Sequence, residues 1–287
     1  MKNMALILLG ALWLTPAMAA PALRLDASIE IALDDPRFGG FSSLEVAADG
    51  MSFMATSDRG TLLRGDILRE GGRMVGVENL RLTEILDTKG QPLGGYSTDA
   101  EGLAVGVDGA VYMSFEANHR VMRQESAAAL PEFVPKHPDF RTLINNSGLE
   151  ALAIDEAGVL YAIPERSGAL ERPFPVYRFM EGAWRKDWHI RRGEGFLVSG
   201  ADIFGGRLYV LERKLDSLWG YQSRIRRFEI GAETGETLLT TEAGDFDNLE
   251  GIALWQPAGE APRVLLISDD NFLFLQVNQL VEMVLEE

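Results

Sequence analysis

The hydrophobic pattern of this chain is built from short runs, and almost none of it has helical spacing. Leu23 to Leu33 alternates apolar and polar residues and predicts a half-buried strand, stopped by Asp34-Asp35-Pro36. Beyond it, short apolar-rich runs follow one another, separated by Gly, Asp and Asn turn clusters. They predict strands at Leu44–Ala47, Ser52–Thr56, Thr61–Leu68 and Gly76–Leu86, then at Leu103–Val107, Val111–Phe115 and Arg120–Gln124. Pro131 to Asp139 is broken by prolines and reads as irregular. Further strands are predicted at Leu149–Ile154, Val159–Ile163, Val176–Met180 and Trp184–Ile190, and at Phe196–Ile203, Leu208–Glu212, Arg224–Ile230 and Thr237–Thr241. The last group is Ile252–Trp255, Arg263–Ser268, Phe272–Val277 and Leu280–Leu285. Only Gln124 to Leu130 has a helical composition.

These runs repeat. An acid, two or three small or apolar residues, a turn and an apolar run ending in a second acid recur at Ser43–Asp58, Asp99–Glu116, Gly148–Glu165, Gly200–Glu212 and Asn248–Asp269. The leading acids, Glu45, Glu101, Glu150, Asp202 and Glu250, are 56, 49, 52 and 48 residues apart. Four antiparallel strands every fifty residues or so predict the blades of an all-β propeller. Five blades are counted. Six stay open, because Val75–Gly95 and Ser126–Asn146 could hide a degenerate unit. The strand at Leu23–Leu33 has no unit of its own and is expected to complete the last blade and close the ring. A sandwich would not explain the fivefold return, and a solenoid would not need the extra strand.

Composition narrows the function. The 287 residues carry 27 Lys plus Arg against 43 Asp plus Glu, a formal charge of −16. That balance argues against nucleic acid and anionic membrane as partners and suits cations or cation-chelated ligands. There is no cysteine, so disulfides, thiolate metal sites and cysteine nucleophiles are excluded. His119, His137 and His189 are the only histidines and lack zinc-site spacing. Residues 1–19 read as a signal peptide: Lys2, an apolar stretch from Met4 to Leu14, and a small-residue exit at Pro16-Ala17-Met18-Ala19. The expectation is a periplasmic or secreted protein, one domain over residues 20–287, acting as a monomer and off the membrane once the signal is cut.

The first strand of a propeller blade lines the axis, so the leading acids are expected to form one ring there. The second acids, Asp58, Glu116, Glu165, Glu212 and Asp269, are expected to form another at the same mouth. Crowded carboxylates must be protonated, paired or bound to a cation. Arg59, Arg166 and Arg213 each follow a second acid, and Arg120 comes four residues after Glu116. Asp269-Asp270-Asn271 breaks the pattern with more oxygen and no arginine. Two solutions stay open: an Arg–carboxylate network tying the blades, or a hard-cation site for Ca²⁺ with arginines clamping an anion. Asp99 and Asp247 read as turn caps. His119 is a candidate contact residue at the expected mouth, and Trp219 and Tyr221 either pack between blades or rim a pocket. No serine nucleophile motif and no phosphate loop is present.

Taken in order, Gly39-Gly-Phe-Ser-Ser-Leu-Glu45, Thr56-Ser-Asp-Arg59, Asp99-Ala-Glu-Gly-Leu-Ala104, Ser114-Phe-Glu116, Gly148-Leu-Glu150, Pro164-Glu-Arg166, Leu211-Glu-Arg213, Asn248-Leu-Glu-Gly-Ile-Ala253 and Ser268-Asp-Asp-Asn271 resemble the bacterial phytase-like domain described as having esterase-like activity of phytase. The resemblance spans the mature chain. It implies an exported β-propeller and, by analogy with β-propeller phytases, carboxylates that hold Ca²⁺ and basic residues that hold phosphate. The resulting expectation is Ca²⁺-assisted hydrolysis of a phosphoester on a small anionic or cation-chelated ligand. Glu101, Glu150 and Glu250 are the catalytic candidates. Arg59, His119, Arg120, Arg166 and Arg213 are candidates for ligand binding, and Glu45, Glu116, Glu165, Glu212, Asp269 and Asp270 for metal. A non-catalytic scaffold with architectural Glu–Arg pairs, or a metal-dependent lactonase or esterase, remain alternatives.

Overall fold

The computed structural model describes residues 20–144, 147–216, 220–270 and 276–287. The signal sequence expected at 1–19, Trp219 and Asn271 lie outside the described residues. The strands form five four-stranded antiparallel sheets arranged as a β-propeller. Blade 1 holds β2 (Phe41–Val46), β3 (Ser52–Ser57), β4 (Thr61–Glu70) and β5 (Arg73–Glu84). Blade 2 holds β6 (Ala100–Val105), β7 (Val111–Phe115), β8 (Arg120–Gln124) and the two-residue β9 (Glu132–Phe133). Blade 3 holds β10 (Ala151–Ile154), β11 (Leu160–Ile163), β12 (Phe174–Met180) and β13 (Ala183–Ile190). Blade 4 holds β14 (Leu197–Phe204), β15 (Arg207–Leu215), β16 (Tyr221–Glu229) and β17 (Glu236–Thr240). Blade 5 holds β18 (Asn248–Trp255), β19 (Arg263–Asp269) and β20 (Gln279–Glu286), with β1 (Ala22–Glu30) as its outer strand.

The N-terminal strand therefore closes the ring by pairing with β20, Leu23 opposite Leu285 and Ile29 opposite Leu280. Its arrival corrects the count in the last repeat. The strand expected at Phe272–Val277 lies mostly outside the described residues; Leu280–Leu285, in β20, pairs with β19 as the third strand of the blade, and β1 supplies the fourth. Five blades account for the described residues, and the described residues of the two stretches that could have hidden a sixth do not form one. Gln124–Leu130 forms turns instead of a helix, and the helical pieces among the described residues are 3-10 turns at Gly95–Ser97 and Pro138–Arg141. His137 caps the second turn, accepting from the Asp139 N–H.

The core is divided among the blade interfaces. Five buried clusters each join two neighbouring blades, such as Leu62, Leu103 and Met113 between blades 1 and 2 and Leu211, Leu249 and Leu266 between blades 4 and 5. Burial of these apolar faces holds the ring together. At the axis, five inner strands (β2, β6, β10, β14 and β18) converge on Ser43, Gly102, Ala151, Gly200 and Gly251, one small residue from each. A Cβ on Gly251 would sit 2.7 Å from the Ser43 backbone, and one on Gly200 would sit 2.6 Å from the Glu250 carbonyl. Only about 10 Å³ of space remains at this waist. The axis is thus a funnel with a packed floor.

Candidate functional site

The register of each blade decides which acids reach the mouth of the funnel. In blades 1, 2, 4 and 5 the inner strand carries a bulge, at Ser42, Glu101, Ser199 and Glu250 respectively. In blade 3 the equivalent position is Glu150, directly before β10. The mouth therefore receives three glutamates and two serines from this position, in place of five acids. Glu45 and Asp202 lie three residues further along their strands, beyond the waist. There Glu45 accepts from the Val105 N–H at 3.0 Å and Asp202 from the Leu254 N–H at 2.6 Å, each bracing a neighbouring inner strand. The expected metal candidate Glu45 is thus separated from the mouth acids.

The second ring is corrected in the same way. Counting two residues past the partner of each small residue gives Asp58, Glu116, Glu165, Arg213 and Asp269. In blade 4 the ring position belongs to Arg213, because Gly200 pairs with Leu211. A one-residue shift turns a strand side chain to the other face. Glu212 consequently points away from the axis. It is fully buried, with Arg224 Nε at 2.8 Å, Arg226 Nε at 2.8 Å and Arg226 Nη2 at 2.5 Å.

Around the mouth, one oxygen from each of Asp99, Glu101 and Glu116 lies within 4.8 Å of the others. Asp99, read from sequence as a turn cap, is thereby a member of the cluster. Asp99 is in hydrogen-bond reach of Glu101, and Glu116 of Glu150. Glu116 also accepts from the Gly148 N–H. Arg213 is the cation at the centre. It pairs with Glu250, stands 3.6 Å from Glu165, donates to Asn248 Oδ1 at 3.0 Å and lies against the Tyr221 ring at 5.9 Å. Burial works against the Arg213 charge, but Glu250, Glu150 and Glu165 outweigh it and hold the guanidinium protonated.

The acids are far less well balanced. Burial, then Glu250, Asp99 and Glu116, push the Glu101 pKa well above the carboxylate range. Burial, then Glu101 and Glu116, do the same to Glu150. Glu116 and Glu250 are also raised, each chiefly by burial. Asp58 is pushed up to about 6 by burial and by Asp99. At neutral pH such a cluster must share protons or accept a cation.

The other sequence-derived candidates fall into distinct places. Arg59 and Arg166 are exposed at the rim, with Arg166 Nε 2.9 Å from Glu165. Arg120 is buried, stacked 4.0 Å from the Phe115 ring and donating to the Ser97 carbonyl at 2.7 Å. Burial lowers its pKa to about 10. His119 is 7 % exposed and packs so closely on Gly148 that a Cβ there would meet its Nδ1 at 2.1 Å. Burial lowers its pKa, so it is a neutral wall of the mouth. Asp270 accepts from the Gly40 N–H at 3.2 Å and from Asn278 Nδ2 at 2.9 Å, tying the last blade to the first. Asp269 lies at the end of β19 opposite Asn248. Asp247 accepts from Gln276, Val277 and its neighbour Asn248. Tyr221 lines a cavity of about 440 Å³ beside Phe246 and Asp247.

Among curated proteins no sequence matches this chain. Among solved structures, one described as U3-55K is similar at 10% identity and TM-score 0.50, covering 92% of this chain and 98% of that one. The PQQ-bound aldose sugar dehydrogenase of Streptomyces coelicolor is similar at 14% identity and TM-score 0.49, covering 94% and 99%. At such identities the likeness concerns the fold alone. The family described as "Phytase-like: Esterase-like activity of phytase" matches residues 36–272, from just before the first inner strand to the last mouth acids. The chain belongs to this phytase-like family.

Proposed function

We propose that the chain is a Ca²⁺-dependent phosphoester hydrolase acting at the mouth of the funnel. The observation that carries this reading is the Asp99–Glu101–Glu116 cluster, whose oxygens lie within 4.8 Å of one another. Ca²⁺ binds carboxylate oxygens at about 2.3–2.6 Å, so a single ion could be reached by all three groups. The donor set is entirely hard oxygen, and the raised pKa values record the unmet demand for positive charge. When bound, the ion would supply Lewis-acid polarisation of a phosphoryl oxygen.

The remaining roles fall to the chain's own residues. Glu150, in reach of Glu116, is the general base: in its ionised form, favoured once a cation offsets the neighbouring acids, it accepts the proton of the attacking water. Arg213, held by Glu165 and Glu250, offers a fixed positive charge to the reacting phosphoryl group. Glu250 and Asn248 position Arg213. Arg59 and Arg166 at the rim attract the anionic substrate. The leaving alkoxide is protonated from solvent at the open rim. Export as a monomer belongs to the same proposal, since weak Ca²⁺ sites serve where the ion is abundant.

A phosphoester panel assayed with Ca²⁺ and with EDTA tests this reading. Turnover should require the ion, and Glu150→Gln should lose roughly 100-fold or more while remaining folded. One observation favours a scaffold reading: Arg213 links Glu165 of blade 3 to Glu250 of blade 5 and so braces the ring. A chain that turns over no phosphoester, and in which Glu150→Gln changes only stability, would be that scaffold. Turnover of lactones or carboxylesters alone would move the same site to the other hydrolase class.

A further inference from the structure

The far side of the waist holds a second feature that the mouth does not use. One transverse row crosses all four strands of blade 1: Glu45 is opposite Met54, Met54 opposite Arg64, and Arg64 opposite Arg81. Directly opposed residues share a face of the sheet. This face turns to blade 2, where Met54 packs against the cluster containing Leu103 and Met113, and Glu45 takes the Val105 N–H. Blade 2 covers only the inner half of the row, because β9 has two residues and β5 has twelve. A cavity of about 650 Å³ is left, lined by Met54, Val105 and both arginines.

Two arginines directly opposite each other on a sheet repel. Neither Arg64 nor Arg81 has a hydrogen bond or ion pair among the described residues, in contrast to Arg69, Arg224, Arg226 and Arg263. Arg64 is half-buried, and burial lowers its pKa with no carboxylate acting to restore it. The carboxylate of Asp66, also in the wall, accepts from Asn79 Nδ2 at 2.8 Å. In a chain of net charge −16, two arginines that line one cavity without a carboxylate partner are out of character. Two guanidiniums offer donors for two oxygens of one anion.

We propose that this groove between blades 1 and 2 binds a small organic oxyanion, its phosphate or carboxylate held by Arg64 and Arg81 and its apolar body resting on Met54 and Val105. Glu45 closes the inner end. Burial and the charge of Asp202 push its pKa well above the usual carboxylate range, so it meets the anion as a neutral acid. The groove is separated from the mouth by the packed waist, and its ligand needs no cation.

Calorimetric titration of the full chain in EDTA, with phenyl phosphate, benzoate and inorganic phosphate, tests the assignment. One or both aromatic anions should bind with one-to-one stoichiometry, and inorganic phosphate about tenfold more weakly for want of apolar contact. The tighter of the two aromatic probes identifies the anionic group. Arg64→Gln and Arg81→Gln should each weaken binding about tenfold or more, whereas Glu101→Gln should leave it unchanged. Arg81 is exposed, so its variant keeps the proposal testable should Arg64→Gln fail to fold. The proposal is overturned if no aromatic probe binds at millimolar concentration, if Arg81→Gln binds as the wild type does, or if Glu101→Gln removes binding and so assigns it to the mouth. EDTA keeps the outcome separate from the hydrolase reading.

Discussion

Two kinds of buried acid occur in this propeller, and their surroundings differ in one respect. Glu212 and Glu282 are both fully buried and both saturated with cations. Glu282 receives Arg69 Nη1 and Nη2 at 2.8 and 2.7 Å, Arg263 at 3.0 Å and Trp255 Nε1 at 3.2 Å. Glu212 has Arg224 and Arg226. At the mouth, Glu101, Glu116, Glu150, Glu165 and Glu250 are also buried, with Arg213 set among them and Arg166 reaching only Glu165 from the rim. A saturated acid is architecture, because its partners meet the whole cost of taking it out of water. A crowded acid keeps an unmet demand for charge, which a proton or a metal can satisfy.

Removing an acid from the two regions should therefore have opposite effects. Glu212→Ala leaves buried Arg226 without a carboxylate and Arg224 with only the exposed Glu194, and should destabilise the chain by about 3–5 kcal/mol, measured by urea unfolding. Glu282→Ala should behave alike. Arg213→Gln removes the central cation from the mouth and should cost about 2 kcal/mol at neutral pH. That loss should shrink as the carboxyls take up protons in acid. Glu101→Gln should stabilise the metal-free chain by about 1 kcal/mol, because it removes one member of a repelling set, and should abolish the rise in Tm produced by Ca²⁺.

The pH dependence sharpens the same contrast. Asp58 is raised to about 6, and Glu101, Glu116, Glu150 and Glu250 are raised as well. A carboxyl whose folded pKa is raised holds its proton in the fold after the unfolded chain has released it. Stability then falls as pH climbs from the unfolded carboxylate range through the folded pKa. The metal-free protein should lose stability from about pH 4 upward, through about pH 6 for Asp58 and beyond it as the other raised carboxyls ionise. Ca²⁺ binds the ionised form, so its increment in Tm should be larger at pH 7.5 than at pH 5. Equal increments at the two values would remove the mouth acids as the source.

Much of this arrangement was legible in the sequence, and the failures were failures of register. The repeat of acid, small residue, Leu or Ile, Ala marks the bulge and the waist of blades 2, 3 and 5, so Glu101, Glu150 and Glu250 were found together. Blades 1 and 4 place Ser42 and Ser199 at the bulge, and the nearest acids, Glu45 and Asp202, belong three residues further on. Glu212 was chosen because it ends an apolar run, but strand pairing, which is not local, gives the mouth to Arg213. Asp99 resembles a turn cap in sequence and is drawn into the cluster by its approach to Glu101. The Arg64–Arg81 pair was not visible because its partners are 17 residues apart and meet only through the register of β4 and β5.

The central claim is that the mouth, and not the saturated clusters, takes up a cation. Calorimetric titration of Ca²⁺ into EDTA-stripped protein near neutral pH, in buffers of different ionisation enthalpy, tests it most directly. The account predicts saturable binding accompanied by proton release, lost in Glu101→Gln and in Glu116→Gln. Absence of binding at millimolar Ca²⁺, or undiminished binding in both variants, would contradict it.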